Sequence, residues 1–313
     1  MDEGADKAVN IALAVIIFLS LLFNTLLLIL LIKKRKQDIW TLNDKLIVGV
    51  ATIDIVEGIF GISSSIYHTS YGDTLLYDKP WYCQISGYIM TTLLLNSILL
   101  LVLISIYRYR ILSKKAGQYN LRYLYIILGL IGIIHFFGLL CLGFSNFYPV
   151  GSGAYCYPSL HLETPGIIYY TVIAIINFLA PLAFGFSYLG IYFTFRKFTK
   201  KEHIELNDSN NVSYKNGKPI TSISNMSNDI SNKILFRTII YLFLYLPIWF
   251  PNLVSIGWDL THLNEAKRPL ILDVLSVIGV LLTILINPVM VFLLRSSLVY
   301  SLLELLRIRR NRL

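Results

Sequence analysis

The sequence predicts an all-α membrane protein, a seven-transmembrane-helix bundle followed by a C-terminal amphipathic interfacial helix, and three observations predict it. The 313 residues are 56% hydrophobic and only 14% charged, with a mean hydropathy of +0.65, whereas soluble domains carry about 25% charged residues. Seven apolar runs, each long enough to cross a bilayer, fill the chain from end to end. Lysine and arginine alternate between dense and sparse in successive connecting segments, the pattern of a chain that crosses a membrane repeatedly.

A crossing helix needs about 20 mainly apolar residues, each rising about 1.5 Å. The runs lie at 9–32, 44–66, 84–107, 123–146, 166–195, 234–258 and 270–294. Lipid offers the backbone no hydrogen-bond partners, so runs of this kind are helices or strands of a closed barrel. They are too long for tilted strands and show no alternation of period two, which leaves the helix.

Of the 27 lysines and arginines, 23 fall in the segments that follow runs 1, 3, 5 and 7. The positive-inside rule puts those segments in the cytoplasm, the N-terminus outside and the C-terminus inside, as expected of a multi-pass protein of the plasma membrane. The net charge of +9 is then a topology signal and an attraction to anionic inner-leaflet lipid. No basic face sits on a soluble domain, so nucleic acid is not an expected partner. Asp2, Glu3 and Asp6 precede the first run, which is too long for the core of a signal peptide and reads as its own insertion signal.

Residues 1–294 form one bundle, interrupted at about 197–233 by a segment rich in Asn, Ser and Lys whose composition predicts a disordered cytoplasmic loop. Residues 295–313 make a separate amphipathic helix and tail. Leu298, Leu302, Leu305 and Leu306 recur at helical spacing among Arg295, Arg307, Arg309 and Arg310, which suits a helix lying on the inner leaflet. Cys83, at the start of run 3, and Cys156, before run 5, share the oxidising outer side, where a disulfide can form. Cys141, within run 4, reads as a small buried apolar residue.

Ionisable groups inside a span cost roughly 2.5–3.5 kcal/mol on insertion scales, so they face the bundle interior and tend to carry function. Asp54 and Glu57 are three residues apart and share a face of run 2. Counting from the cytoplasmic ends of their runs, Asn24, Asp54, Ser97 and Asn287 lie at a depth of roughly 10–17 Å. One carboxylate among hydroxyl and amide oxygens suits a small hard cation; the same layer also suits a hydrogen-bonded core that only joins helices. Depth alone leaves both readings open. Pro181, Pro247 and Pro288 fall inside runs 5, 6 and 7, where each removes a backbone hydrogen bond and kinks its helix into a candidate hinge.

Over nearly its whole length this pattern resembles the rhodopsin-like (class A) G-protein-coupled receptors. Asn24 matches the family's helix 1 asparagine and Asp54, in LIVGVATID, its helix 2 aspartate. Trp81 and Cys83 match the tryptophan and disulfide cysteine before helix 3, and Tyr107-Arg108-Tyr109 is similar to the Asp-Arg-Tyr motif. Arg108 follows Cys83 by 25 residues, and Ser97 precedes Arg108 by eleven, where the family carries a sodium-site serine. Pro181 and Pro247 match the helix 5 and 6 prolines, and Asn287-Pro288 opens a match to Asn-Pro-x-x-Tyr. The departures make it a divergent member: Tyr107 replaces the acidic partner of the arginine, Val291 the tyrosine of the last motif and Tyr245 the helix 6 tryptophan, and run 4 has no tryptophan.

The resemblance implies a Cys83–Cys156 bridge, an allosteric sodium ion at Asp54, and a receptor that binds an extracellular, small-molecule ligand and activates a heterotrimeric G protein through Arg108. It implies no retinal, because Leu281 stands where the Schiff-base lysine would be, and no amine held by a helix 3 aspartate, because Met90 occupies that position. Inward faces of the outer half present Glu57, Met90, Leu94, Asn177, Tyr245, Trp249, Asn252, Asp273 and Ser276, an apolar cleft with a few polar groups. Glu57 and Asp273 favour a ligand with a positive or donor-rich end. The competing classes are a transporter or channel, for which no inverted repeat is visible, and a non-signalling seven-helix protein. No HExxH, Gly-x-Ser-x-Gly or paired-aspartate motif supports an enzyme.

Overall fold

The computed structural model describes residues 3–35, 42–71, 80–113, 122–149, 155–158, 164–209, 244, 247–262 and 269–294. Tyr245, the remainder of the expected loop from 210 to 233 and the expected interfacial helix at 295–313 lie outside the described residues. Among the described residues there are seven long helices. They are α1 (Glu3–Arg35), α2 (Leu42–Tyr71), α3 (Pro80–Leu112), α4 (Arg122–Gly143), α5 (Thr164–Ser209), α6 (247–261) and α7 (Leu270–Leu294). Between α4 and α5 two short antiparallel strands, β1 (Phe147–Pro149) and β2 (Cys156–Pro158), pair with Tyr148 opposite Tyr157.

Five of the helices are, within the described residues, long and apolar enough to cross a membrane: Ile11–Lys33, Pro80–Ile111, Tyr125–Gly143, Thr164–Thr194 and Ile271–Phe292. The distribution of side chains agrees with a lipid surround. Phe186 is 71% exposed and Ile271 75%, while Asp54, Asn24, Asp273 and Asn287 are buried. A water-soluble fold reverses this arrangement, because water rewards polar surface and lipid does not. The molecule is an all-α, multi-pass membrane bundle.

The centre of the bundle is α3, which packs on α2, α4, α5 and both strands. In the most apolar stretch of α3, 67% of residues are buried, against 22% for α4, which lies at the periphery. The ring closes through α1, which packs on α2 and α7. Close approaches use glycine. A methyl on Gly58 of α2 would sit 2.7 Å from Leu21 of α1, and one on Gly190 of α5 would sit 2.6 Å from the Tyr109 ring.

One boundary corrects the sequence reading. Helix α5 runs to Ser209, through the first part of the segment expected to be disordered from 197. The stretch from Arg196 to Leu206 has no Pro or Gly and is rich in Lys and Glu. Such residues propagate an existing helix, and the change to Asn and Ser comes only afterwards.

Candidate functional site

Two features are built around α3, one at each end. At one end Cys83 and Cys156 are bridged, with an S–S distance of 2.03 Å. The bridge is one of three grips that α3 has on the strand pair. Gln84 lies next to it in sequence: its Nε2 donates to Phe147 O at 2.7 Å and to Ser145 O at 3.0 Å, and its Oε1 accepts from Phe147 N at 2.9 Å. One helical turn on, Gly87 leaves room for the Phe147 ring, which a methyl there would meet at 2.6 Å. The chain reaches this position through the end of α4. There Ser145 N bonds Leu142 O, Asn146 N bonds Cys141 O, and Ser145 takes a left-handed φ of 56°, the bond pattern of a Schellman cap.

Below the strand pair lies a cavity of about 100 Å³. It is lined by six of the nine residues expected from the sequence: Glu57, Met90, Leu94, Asn177, Asn252 and Ser276. Asn252 Nδ2 donates to Asn177 Oδ1 at 3.3 Å, joining α6 to α5, and Ser276 donates to Pro251 O at 3.1 Å, joining α7 to α6. Two expected residues are placed elsewhere. Trp249 is packed in the hydrophobic core. Asp273 does not line the cavity; its Oδ1 accepts from Tyr155 at 3.2 Å. Both lie on helix faces near the cavity, but a bulky core ring and an interposed tyrosine take them from it. Tyr245 lies outside the described residues.

Sequence reasoning missed the wall supplied by Leu13 and Ile17 of α1 and the roof supplied by Tyr155 and Tyr157. The roof was within reach. Residues flanking a cysteine bridged to the top of α3 are held over the bundle interior. Tyr157 stacks edge-on against Tyr155 and Tyr170, with ring centroids 6.1 and 5.7 Å away, and Tyr170 donates to Asp259 at 2.6 Å. The roof thus touches α5 and α7 directly and reaches α6 through Tyr170.

Deeper in the bundle the polar layer is assembled. Asp54 is 0% exposed; its Oδ1 accepts from Ser97 at 2.7 Å and its Oδ2 from Asn287 Nδ2 at 3.0 Å, so three helices meet at one carboxyl group. Asn24 bonds to backbone on α1 and α7. Its Nδ2 donates to Ile284 O at 3.3 Å and to Ser20 O at 3.1 Å, and its Oδ1 is buried without a hydrogen-bond partner. The reason is Pro288. A proline cannot donate to the carbonyl four residues earlier, which here is that of Ile284, and Asn24 supplies the missing donor from α1. Pro181 lies inside α5, and Pro247 stands at the first residue of the described part of α6.

At the far end of α3, Tyr107, Arg108 and Tyr109 are half-buried. Arg108 Nη1 donates to the Tyr188 hydroxyl of α5 at 3.1 Å, and the Tyr109 ring rests against Gly190. Val291, in place of the family's tyrosine, is buried in the core.

The geometry is therefore a roofed cavity at the disulfide end, a carboxyl-centred polar layer beneath it, and an arginine bonded to Tyr188 at the opposite end of the same central helix. Comparison with curated proteins finds no match. The family described as seven-transmembrane receptor (rhodopsin family) matches residues 23–290, a stretch that contains the polar layer, the bridge, Arg108 and all of the cavity lining except Leu13 and Ile17, and the chain belongs to that family.

Proposed function

We propose that this protein is a receptor that binds a small molecule in the roofed cavity from outside the cell and activates a heterotrimeric G protein at the Arg108 end. The observation that carries the reading is the cavity itself. It is concave and mostly apolar, with a few convergent polar groups, the usual form of a small-molecule site, and all of its lining except Leu13 and Ile17 falls within the receptor-family match. The distribution of Lys and Arg supports an N-terminus outside and a C-terminus in the cytoplasm, and the receptor-family match supports residence in the plasma membrane. Asp54 with Ser97 and Asn287 bonded to it offers one carboxylate, one hydroxyl and one amide oxygen, and Asn24 carries a further amide oxygen that is buried and open. That set fits a sodium ion, which would favour the receptor state that presents it.

Arg108 carries the coupling role in this proposal. A guanidinium offers five donors in a planar fork, suited to the backbone carbonyls of an inserted peptide end. Its neighbour Tyr107 provides no opposite charge at neutral pH, so a restraint worth about 0–1 kcal/mol in an exposed pair is missing from the resting state. The full chain in lipid nanodiscs should therefore accelerate nucleotide exchange on at least one purified heterotrimeric G protein without ligand. Tyr107→Asp should lower that rate up to about fivefold; Arg108→Ala should remove it. Exchange that survives both Arg108→Ala and Arg108→Lys would refute the coupling role.

The departures at Tyr107 and Val291 favour one alternative, a seven-helix protein that keeps the fold without signalling. It predicts no exchange on any G protein, with or without ligand.

A further inference from the structure

The cavity contains one group that its role as a ligand site does not by itself explain. Glu57 is 1% exposed, and neither of its carboxyl oxygens has a hydrogen-bond partner. Burying such a group in the hydrocarbon zone without a partner is costly whether it is neutral or ionised. Three other acids of the bundle are engaged. Asp54 accepts from Ser97 and Asn287, Asp273 from Tyr155, and Asp259 from Tyr170. Glu57 instead lines the cavity, where the described lining residues include no Lys, Arg or His. One turn further along the same face is Gly61, whose missing side chain leaves the space between Ile17 and Met90; a methyl there would sit 3.3 and 3.7 Å from them.

We propose that Glu57 anchors the protonated amine of a small ligand whose apolar body occupies the rest of the cavity, an inference that rests on the cavity being the ligand site. An ammonium head matches what the wall offers. It needs one carboxylate for its charge and a few acceptors for its other protons, and Thr91 and Ser276, which carry hydroxyls, are among the residues lining the same space. A hard metal ion needs several oxygen ligands besides one carboxylate, whereas Leu13, Ile17, Met90 and Leu281 are among the described residues that line the cavity with Glu57. Among the described residues no three His, Cys, Asp or Glu side chains gather into a metal-binding group. The cation would be held from α2, on the side of the cavity toward α1 and α7. Asp273, already bonded to Tyr155, is not its partner.

The full chain in lipid nanodiscs is titrated with butylamine, benzylamine and phenethylamine, each against the alcohol of the same shape, and the thermal midpoint is followed. At least one amine should raise the midpoint saturably while its alcohol does not. Glu57→Gln, which keeps the shape and removes the charge, should weaken that amine at least about tenfold, while Asp273→Asn should change it less than about twofold. Equal effects of amine and alcohol overturn the proposal, as does an amine effect that survives Glu57→Gln or the lack of a shift with any amine. A shift given by sodium chloride and lost in Glu57→Gln would place an inorganic ion there and also overturn it. If Glu57→Gln does not fold, the comparison of amine with alcohol on the unaltered chain still decides. Nucleotide exchange, ligand-free and with amine, is measured on the same preparations. Exchange without an amine shift sinks this inference alone; an amine shift with no exchange, ligand-free or with that amine bound, sinks G-protein coupling and leaves the site standing.

Discussion

Pro288 has no amide proton, and the carbonyl it leaves open, that of Ile284, accepts from the Asn24 side chain on another helix. The bond shows how polar residues in this bundle are spent on backbone that lipid would leave unsatisfied. Asn24→Leu keeps the branched shape and removes the donor. It should cost about 1–3 kcal/mol, the penalty of an unpaired buried carbonyl, and lower the thermal midpoint accordingly. A variant as stable as the parent would show that the carbonyl finds another partner. The presence of Asn24 in the polar layer was legible from its depth in the sequence. Its partner was not, because that depends on how α1 and α7 meet.

Among the elements, the contact of α6 with α7 depends on a residue without a side chain. A methyl on Gly279 would lie 2.5 Å from Ile248 O, a backbone atom that cannot rotate away. In an isolated helix, replacing Gly by Ala gains about 1 kcal/mol; here the collision should outweigh it, at a cost typical of overpacking, about 1–3 kcal/mol or more. Gly279→Ala should therefore lower the midpoint, and a rise would mean that α6 is free to move aside. The strand pair gives a second prediction. Replacing both Cys83 and Cys156 by serine should cost about 2–4 kcal/mol. The loss should be uneven, because Gln84 still holds Phe147 through both of its amide atoms. Hydrogen exchange should rise at 156–158 more than at 147–149, and uniform loosening would show that the bridge alone holds the pair.

For the molecule as a whole, the polar layer is where α2, α3 and α7 share one carboxyl group, so anything bound there acts on the relative placement of three helices. If sodium binds at Asp54 in one state of the receptor, it stabilises that state by its differential affinity. Raising sodium at constant ionic strength, with potassium as the counterpart, should then raise the thermal midpoint, and Asp54→Asn should abolish the rise. An unchanged sodium response in Asp54→Asn would remove the ion from this site. The cavity roof is also a property of the whole molecule. Tyr155 reaches Asp273 of α7 and Tyr157 reaches Tyr170 of α5, so a ligand beneath it touches residues tied to several helices at once.

The sequence by itself determined the helices, because a segment crossing hydrocarbon must satisfy its backbone internally, and that demand is written in local composition. It also determined which polar residues lie at one depth, since rise per residue is constant. The meeting of Ser97 and Asn287 at Asp54 was therefore legible, as were six of the cavity residues. Tertiary structure decided what local periodicity cannot contain: that Trp249 packs in the core, that Tyr155 takes up Asp273, that Asn24 serves a carbonyl on α7, and that Glu57 is left without a partner. Each of these depends on the rotation and spacing of neighbouring helices. Those are set by side-chain packing and by close approaches at residues such as Gly58, Gly190 and Gly279, and the hydropathy of a single run carries no record of them.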